Sequence, residues 1–221
     1  MKSISIFTDG AVPNNQLQGN RKGGVGVFFG ASFNKVKSLV VLKEPSAHLE
    51  SNLTLDPQGK AGTSFNKVKS LMVLKEPGDP QGEVSNDDIR NISFSIKETK
   101  EIKVTNQVCE LLACIKGLET IITTQNIGKK EIIIYTDSMY IINSITEWAK
   151  NWKKNNWKKA DNKPIQNLEL VKKLYYLAKN LKVGFKHVKA HTSSPDKDSD
   201  EYFEWYGNYM ADKLAVQASL K

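Results

Sequence analysis

Within EIIIYT (131–136) every residue after the glutamate is β-branched or aromatic, and only Thr136 breaks the apolar run. A strand with one wet face alternates apolar and polar residues, so a run without alternation is covered on both sides, as a central parallel strand is. Parallel neighbours need long crossover connections, which puts helices on the faces of the sheet. The stretch from Asn106 to Thr123 supplies one. There Val108, Leu111, Leu112, Ile115, Leu118, Ile121 and Ile122 recur at steps of three and four. KSISIFTD (2–9) alternates and stops at Asp9-Gly10, as a strand meeting a turn does. KGGVGVFFG (22–30) reads as a second strand, with glycines where the backbone runs close to a neighbour. NISFSIKE (91–98) reads as a third, with Ile92, Phe94 and Ile96 on one face. Helices are expected over 138–148 and 165–180, a strand over 182–188 and a last helix over 203–219. Three strands followed by alternating helix and strand predict an α/β fold on a mixed sheet with a parallel half.

One region departs from this economy. SFNKVKSLVVLKEP (32–45) returns as SFNKVKSLMVLKEP (64–77), and DPQG occurs at 56–59 and 79–82. Two copies are too few for a solenoid. A recent tandem duplication and an assembly artefact both account for so near an identity. With 31–88 set aside, the strands at 22–30 and 91–98 need only a short turn between them. The segment therefore reads as an insertion at a hairpin tip, where extra chain is tolerated, and 1–221 as a single interrupted domain. The whole chain carries a net charge of +8, and 31–88 carries seven Lys against eight Asp and Glu. The remainder is thus the basic part, at +9, and a polyanion is the obvious partner.

The two cysteines, Cys109 and Cys114, match no zinc or redox spacing and read as core thiols in a reducing compartment. No apolar run is long enough to span a membrane, and MKSISIFTDG meets an acid too early for a signal peptide. An intracellular, cytoplasmic protein is expected.

Asp137 follows the apolar strand directly, and its bland reading is a helix cap. Asp9 ends the first strand, Glu110 lies near the start of the 106–123 helix, and Asp212 lies in the last helix. Each has its own plain explanation: a turn, an acid suited to a helix N-terminus, a cap and a solvated side chain. If the strands of Asp9 and Asp137 are parallel neighbours, both carboxylates leave the sheet at its C-terminal edge, where open α/β sheets bind ligands. Like charges so placed raise one another's pKa unless a cation neutralises them. Oxygen donors select Mg²⁺ or Mn²⁺ over zinc, and two such ions about 4 Å apart can clamp both oxygens of a phosphodiester displacement.

FTDGA (7–11), TNQVCELLA (105–113), IYTDSMYI (134–141), KAHTSS (189–194) and GNYMADKLA (207–215), taken in order, resemble type 1 ribonuclease H. ITEWAKNWKKNNWKKADNKPIQNLEL (145–170) resembles the basic protrusion of that family and the helix after it. The resemblance implies a ribonuclease H-like fold, a five-stranded mixed sheet with helices on both faces. It implies endonucleolytic cleavage of the RNA strand of RNA–DNA hybrids by two Mg²⁺ ions, for which Mn²⁺ can substitute, leaving 5′-phosphate and 3′-hydroxyl ends. Asp9, Glu110, Asp137 and Asp212 match the metal-binding carboxylates, and His191 matches a mobile histidine assisting proton transfer or product release. Gly10, Asn106, Gln107, Ser138 and Asn208 fall where the family touches the hybrid.

NWKKNNWKK (151–159) interleaves Trp152 and Trp157 with Lys153, Lys154, Lys158 and Lys159, which would neutralise phosphates; the plain alternative is a solvated face with packed tryptophans. The implied partner is the hybrid, with no small-molecule substrate and no membrane, bound by a monomer. Two features depart from the family: the 31–88 segment, and a longer acidic stretch (Asp196, Asp198, Asp200, Glu201) between His191 and Asp212. A rival reading is a non-catalytic nucleic-acid-binding module on the same fold; another is a related nuclease acting on DNA junctions or beside a reverse transcriptase. HVKAH (187–191) has the spacing of a helical zinc pair but sits in a strand-like stretch, so His187 reads as structural. His48 has no visible partner.

Overall fold

The computed structural model describes residues 3–13, 21–30, 91–100, 102–123 and 130–221. The 31–88 segment, with both copies of its repeat, and His48 lie outside the described residues. Strands β1 (Ile4–Ala11), β2 (Lys22–Gly30), β3 (Ile92–Lys97), β4 (Ile132–Thr136) and β5 (Gly184–His187) form one five-stranded sheet in the order β3-β2-β1-β4-β5. β1 runs antiparallel to β2 and parallel to β4; β2 and β3 are antiparallel, and β4 and β5 parallel. The mixed sheet with a parallel half is as expected, and the apolar run of β4 lies inside it between β1 and β5.

Alternation along the strands divides two cores. Ile6, Val27 and Ile134 point to one face, where α1 (Asn106–Thr123) and α4 (Leu168–Leu181) pack. Phe7, Phe28 and Tyr135 point to the other, against Met210, Ala211 and Leu214 of α5 (Asp200–Ser219). Phe7 is fully buried and stacks on Tyr135 with ring centroids 4.6 Å apart; burying such a ring contributes about 2–3 kcal/mol. The glycines of β2 admit α5 to backbone contact. A Cβ at Gly24 would lie 1.8 Å from the Ala215 carbonyl oxygen, and one at Gly26 would lie 2.2 Å from that of Ala211. Cys109 and Cys114 are free and buried, and the Cys114 sulfur lies 3.3 Å from the Thr8 hydroxyl.

Several boundaries differ from expectation. β1 does not stop at Asp9: β2 continues as its partner, pairing Asp9 with Gly26, Gly10 with Val25 and Ala11 with Gly24. The 138–148 helix extends to Lys154 as α2 (Met139–Asn143), a π-helical turn (Ser144–Trp148) and α3 (Ala149–Lys154). α4 starts at Leu168, because Asn167 before it is in the left-handed conformation (φ 54°) and is not part of the helix. β5 is shorter than 182–188, since Lys182 (φ 54°) forms the left-handed cap of α4. α5 begins at Asp200, whose carboxylate and that of Glu201 suit the positive end of the helix.

Candidate active site

β1 and β4 are parallel with Phe7 opposite Tyr135, so two residues further on Asp9 and Asp137 leave the sheet side by side. Pairing with β5 ends at Thr136, which frees Asp137 from the ladder. Asp137 does not cap the next helix. Ser138 is the N-cap of α2, its hydroxyl accepting from the Ile141 N–H. The same hydroxyl donates to Glu110 Oε2 at 2.6 Å, which ties the acid of α1 to the end of β4. Gly10 is buried and lets α1 descend onto β1, since a Cβ there would lie 2.5 Å from the Glu110 nitrogen. Gly10, expected among the substrate contacts, makes room for the helix that carries Glu110, and its N–H donates to Asp9 Oδ1 at 2.7 Å. Asp212 arrives from α5.

The four acids share one electrostatic environment. Burial pushes Asp9 up to about 8, with Asp137, Asp212 and Glu110 adding to the shift and the Gly10 N–H opposing it. Burial also raises Glu110; Ser138 offsets part of this and Asp137 adds to it. Asp137 is raised by burial and by Asp212, against its own backbone N–H and the charges of His191 and His187. Among the described residues no three His, Cys, Asp or Glu side chains close into a ligand group. The acids are near enough for Asp137, Asp212 and Glu110 each to act on Asp9.

A cleft beside them is lined by Asp137, Lys189, His191, Thr192, Trp205, Asn208, Tyr209 and Asp212. His191 is exposed, in a left-handed conformation (φ 52°), on the loop after β5. Of the acidic stretch, Asp200 and Glu201 form the first turn of α5 while Asp196 and Asp198 lie in the loop before it, and His191 lines the cleft together with Asp212. Asn208 is only 6% exposed, and its Oδ1 has no hydrogen-bond partner. At the start of α1, Asn106 is exposed and Gln107 half-buried. Trp152 packs on Trp148 (5.7 Å) and Trp157 on Tyr175 (5.8 Å), so both tryptophans are built into the fold. Lys153, Lys154, Lys158 and Lys159 are exposed. His187, read from sequence as structural, is exposed at the end of β5 with its charge acting on Asp137. Lys189, Thr192, Trp205 and Tyr209 were missed; the signal was the spacing 202, 205, 209, 212, which lays three aromatic residues and an acid along one helical stripe.

A five-stranded mixed sheet covered on both faces, with acids from β1, α1, the end of β4 and α5 converging on one edge, defines the ribonuclease H-like class of α/β proteins. Residues 75–220 match the sequence model of the RNase H family. The chain belongs to the ribonuclease H family. It is 36% identical to a probable ribonuclease H of Acanthamoeba polyphaga mimivirus over 115 residues, 52% of this chain and 48% of that protein. It is 40% identical to a ribonuclease H of Wolbachia pipientis wMel over 119 residues, 54% of this chain and 71% of that protein. The chain thus spans about half the length of the mimivirus relative. Among solved structures, LC9-RNase H1, described as a type 1 RNase H with the type 2 active-site motif, superimposes with a TM-score of 0.54. The overlay covers 99% of this chain and 74% of that one at 18% identity, which speaks to the fold alone.

Proposed function

We propose that this protein is an endoribonuclease that hydrolyses the RNA strand of RNA–DNA hybrids with two divalent ions, Mg²⁺ or in its place Mn²⁺. The observation that carries the reading is the convergence of Asp9, Glu110, Asp137 and Asp212, from four separate elements, into one mutually coupled group. The donor set fits such ions: it is all oxygen and of one charge, and burial, with the neighbouring acids adding to it, pushes Asp9 up to about 8. Bound there, divalent ions supply neutralisation of the acids, a more acidic water and stabilisation of the leaving oxygen.

The chain's own residues set the geometry. Ser138 fixes the Glu110 carboxylate and the Gly10 N–H fixes that of Asp9. His191, exposed beside Asp137, is placed to hand a proton to the departing 3′ oxygen or to ease product out. Asn208 offers a buried, unpaired acceptor to a sugar hydroxyl, a group that separates RNA from DNA. Asn106, Gln107 and the exposed lysines of 153–159 track phosphates without reading bases, so sequence preference is weak. Water adds across the P–O3′ bond, leaving a 3′-hydroxyl on one fragment and a 5′-phosphate on the other. The free, buried cysteines suit a reducing, cytoplasmic compartment, where the protein acts as a monomer. Among the described residues no helix is long and apolar enough to cross a membrane.

The test is incubation with labelled hybrid, double-stranded RNA and double-stranded DNA, with and without Mg²⁺. Cleavage is expected only in the RNA of the hybrid and only with metal. Asp137→Asn is expected to lower the rate by on the order of a hundredfold to a thousandfold or more, with hybrid binding kept. Wild-type cleavage by the purified variant would defeat the mechanism.

A further inference from the structure

We propose that the outward stripe of α5, Tyr202, Trp205 and Tyr209, is a stacking platform for an unpaired stretch of the RNA strand where it leaves the cleft. The proposal rests on reading the cleft as the place that holds a hybrid. α5 is aromatic on two sides. Phe203 turns inward onto Phe7 with ring centroids 5.3 Å apart, and Tyr206 turns onto Phe28 at 5.9 Å. The core is thereby sealed without the other three rings. Trp205 instead lies parallel to Tyr209 at 5.4 Å and 7° between planes, while Tyr202 is tilted by 33° against Trp205 at 5.7 Å and stacks on Tyr206 at 5.9 Å, which anchors the stripe to the inner rings. Tyr209 is 45% exposed. The Trp205 indole N–H donates to the Thr192 carbonyl at 3.0 Å, which fixes the ring plane before anything binds.

Three observations choose the occupant. The stripe is continuous with the cleft, because Trp205 and Tyr209 form its wall beside Asp137 and Asp212, and Asp212 is the next residue on the same face. Its inner end is cationic. Lys213 sits over the Tyr209 ring at 5.9 Å, and Lys189 lines the cleft, while Glu204 is taken up by Lys186. Finally, the parallel rings of Trp205 and Tyr209, the latter 45% exposed, suit the face of a base, and a base inside a duplex has no free face to offer. The strand that meets this wall is therefore unpaired there, and it continues the strand held by Asp137 and Asp212. Asp200 and Glu201 lie beyond Tyr202 at the far end of the helix, where their charge restricts stacking to the bases nearest the cleft.

The experiment is equilibrium binding of the full chain, in EDTA so that nothing is cut, to a blunt hybrid and to hybrids with a short single-stranded tail on the RNA or on the DNA strand. An RNA tail is expected to raise affinity about tenfold at fixed salt, within what base–aromatic stacking provides. Trp205→Ala and Tyr209→Ala should each bring the tailed-to-blunt ratio to about one, and Tyr209→Phe, which keeps the ring, should preserve it. The ratio cancels general losses of fold or hybrid affinity. Equal affinity of wild type for blunt and RNA-tailed hybrids, a response to the DNA tail alone, or a ratio unmoved by either alanine variant would overturn the platform. Cleavage of blunt hybrid with Mg²⁺ is scored separately. A protein that cuts blunt hybrid but ignores tails refutes only the platform, whereas one that prefers RNA tails but cuts nothing refutes only the nuclease reading.

Discussion

Asp9 shows what the site costs the fold when no cation is bound. Its carboxyl keeps its proton to about pH 8 in the folded chain, against an ordinary value of 3.8. Between those values the folded state binds more protons than the unfolded state, so this residue's contribution is full at low pH and drains away as pH rises towards 8. Asp9→Asn, which cannot ionise, is expected to stabilise the metal-free protein at pH 8 by about 1–3 kcal/mol and to change little at pH 4. Urea denaturation in EDTA at the two pH values checks this, and an Asn variant less stable than wild type at pH 8 would contradict it. Adding Mg²⁺ to wild type should recover the same stability. The four acids could be picked out in the sequence because two end or follow predicted strands and all four lie in motifs that resemble those of one family. Ser138 was not: its bond to Glu110 depends on α1 lying against the start of α2, and that contact spans 28 positions of sequence. Ser138, rather than Asp137, takes the capping role, although an aspartate one residue earlier is equally suited to it.

At the level of elements, the approach of α5 to β2 is the tightest packing that the site depends on, since α5 carries Asp212. Gly24→Ala would place a methyl group 1.8 Å from the Ala215 carbonyl oxygen, and backbone cannot swing aside as a side chain can. A loss of about 2–4 kcal/mol is expected, together with reduced cleavage as Asp212 shifts. Denaturant midpoints and cleavage rates measured on one preparation test both, and an unchanged midpoint would mean that α5 is not seated there. The glycines of 22–30 announced a close approach, but not what approached. The π-helical turn at Ser144–Trp148 had no sequence signature, because the residues that form it are ordinary helix formers. The early start of α5 was missed because Asp200 and Glu201 were read as loop acids, whereas at a helix N-terminus the same charges are favourable. The aromatic stripe was overlooked because the reading followed charge, and stacked rings carry none.

Over the whole molecule, the net charge of +8 includes an exposed set of lysines at 153, 154, 158 and 159 on the chain between α3 and α4 and at the end of α3. Replacing all four by alanine should weaken hybrid binding and reduce the slope of log affinity against log salt by about 3–4, close to one for each phosphate that is no longer neutralised. Titration at several salt concentrations reads the slope directly, and an unchanged slope would remove the lysines from the interface. The tryptophans beside them are packed on other rings, so their removal would damage the fold first. The overall arrangement was legible because a covered parallel strand admits few architectures; the distance between its parts along the chain has a further effect. Ile4 pairs with Ile132, and Asp9 waits for Asp212, more than two hundred residues later. During translation the first three acids emerge well before the fourth, so a chain still on the ribosome holds no complete set. The set is complete only once α5 has been made and has docked on the sheet. A chain whose synthesis stops short of Asp212 therefore lacks one of the four acids of the proposed site.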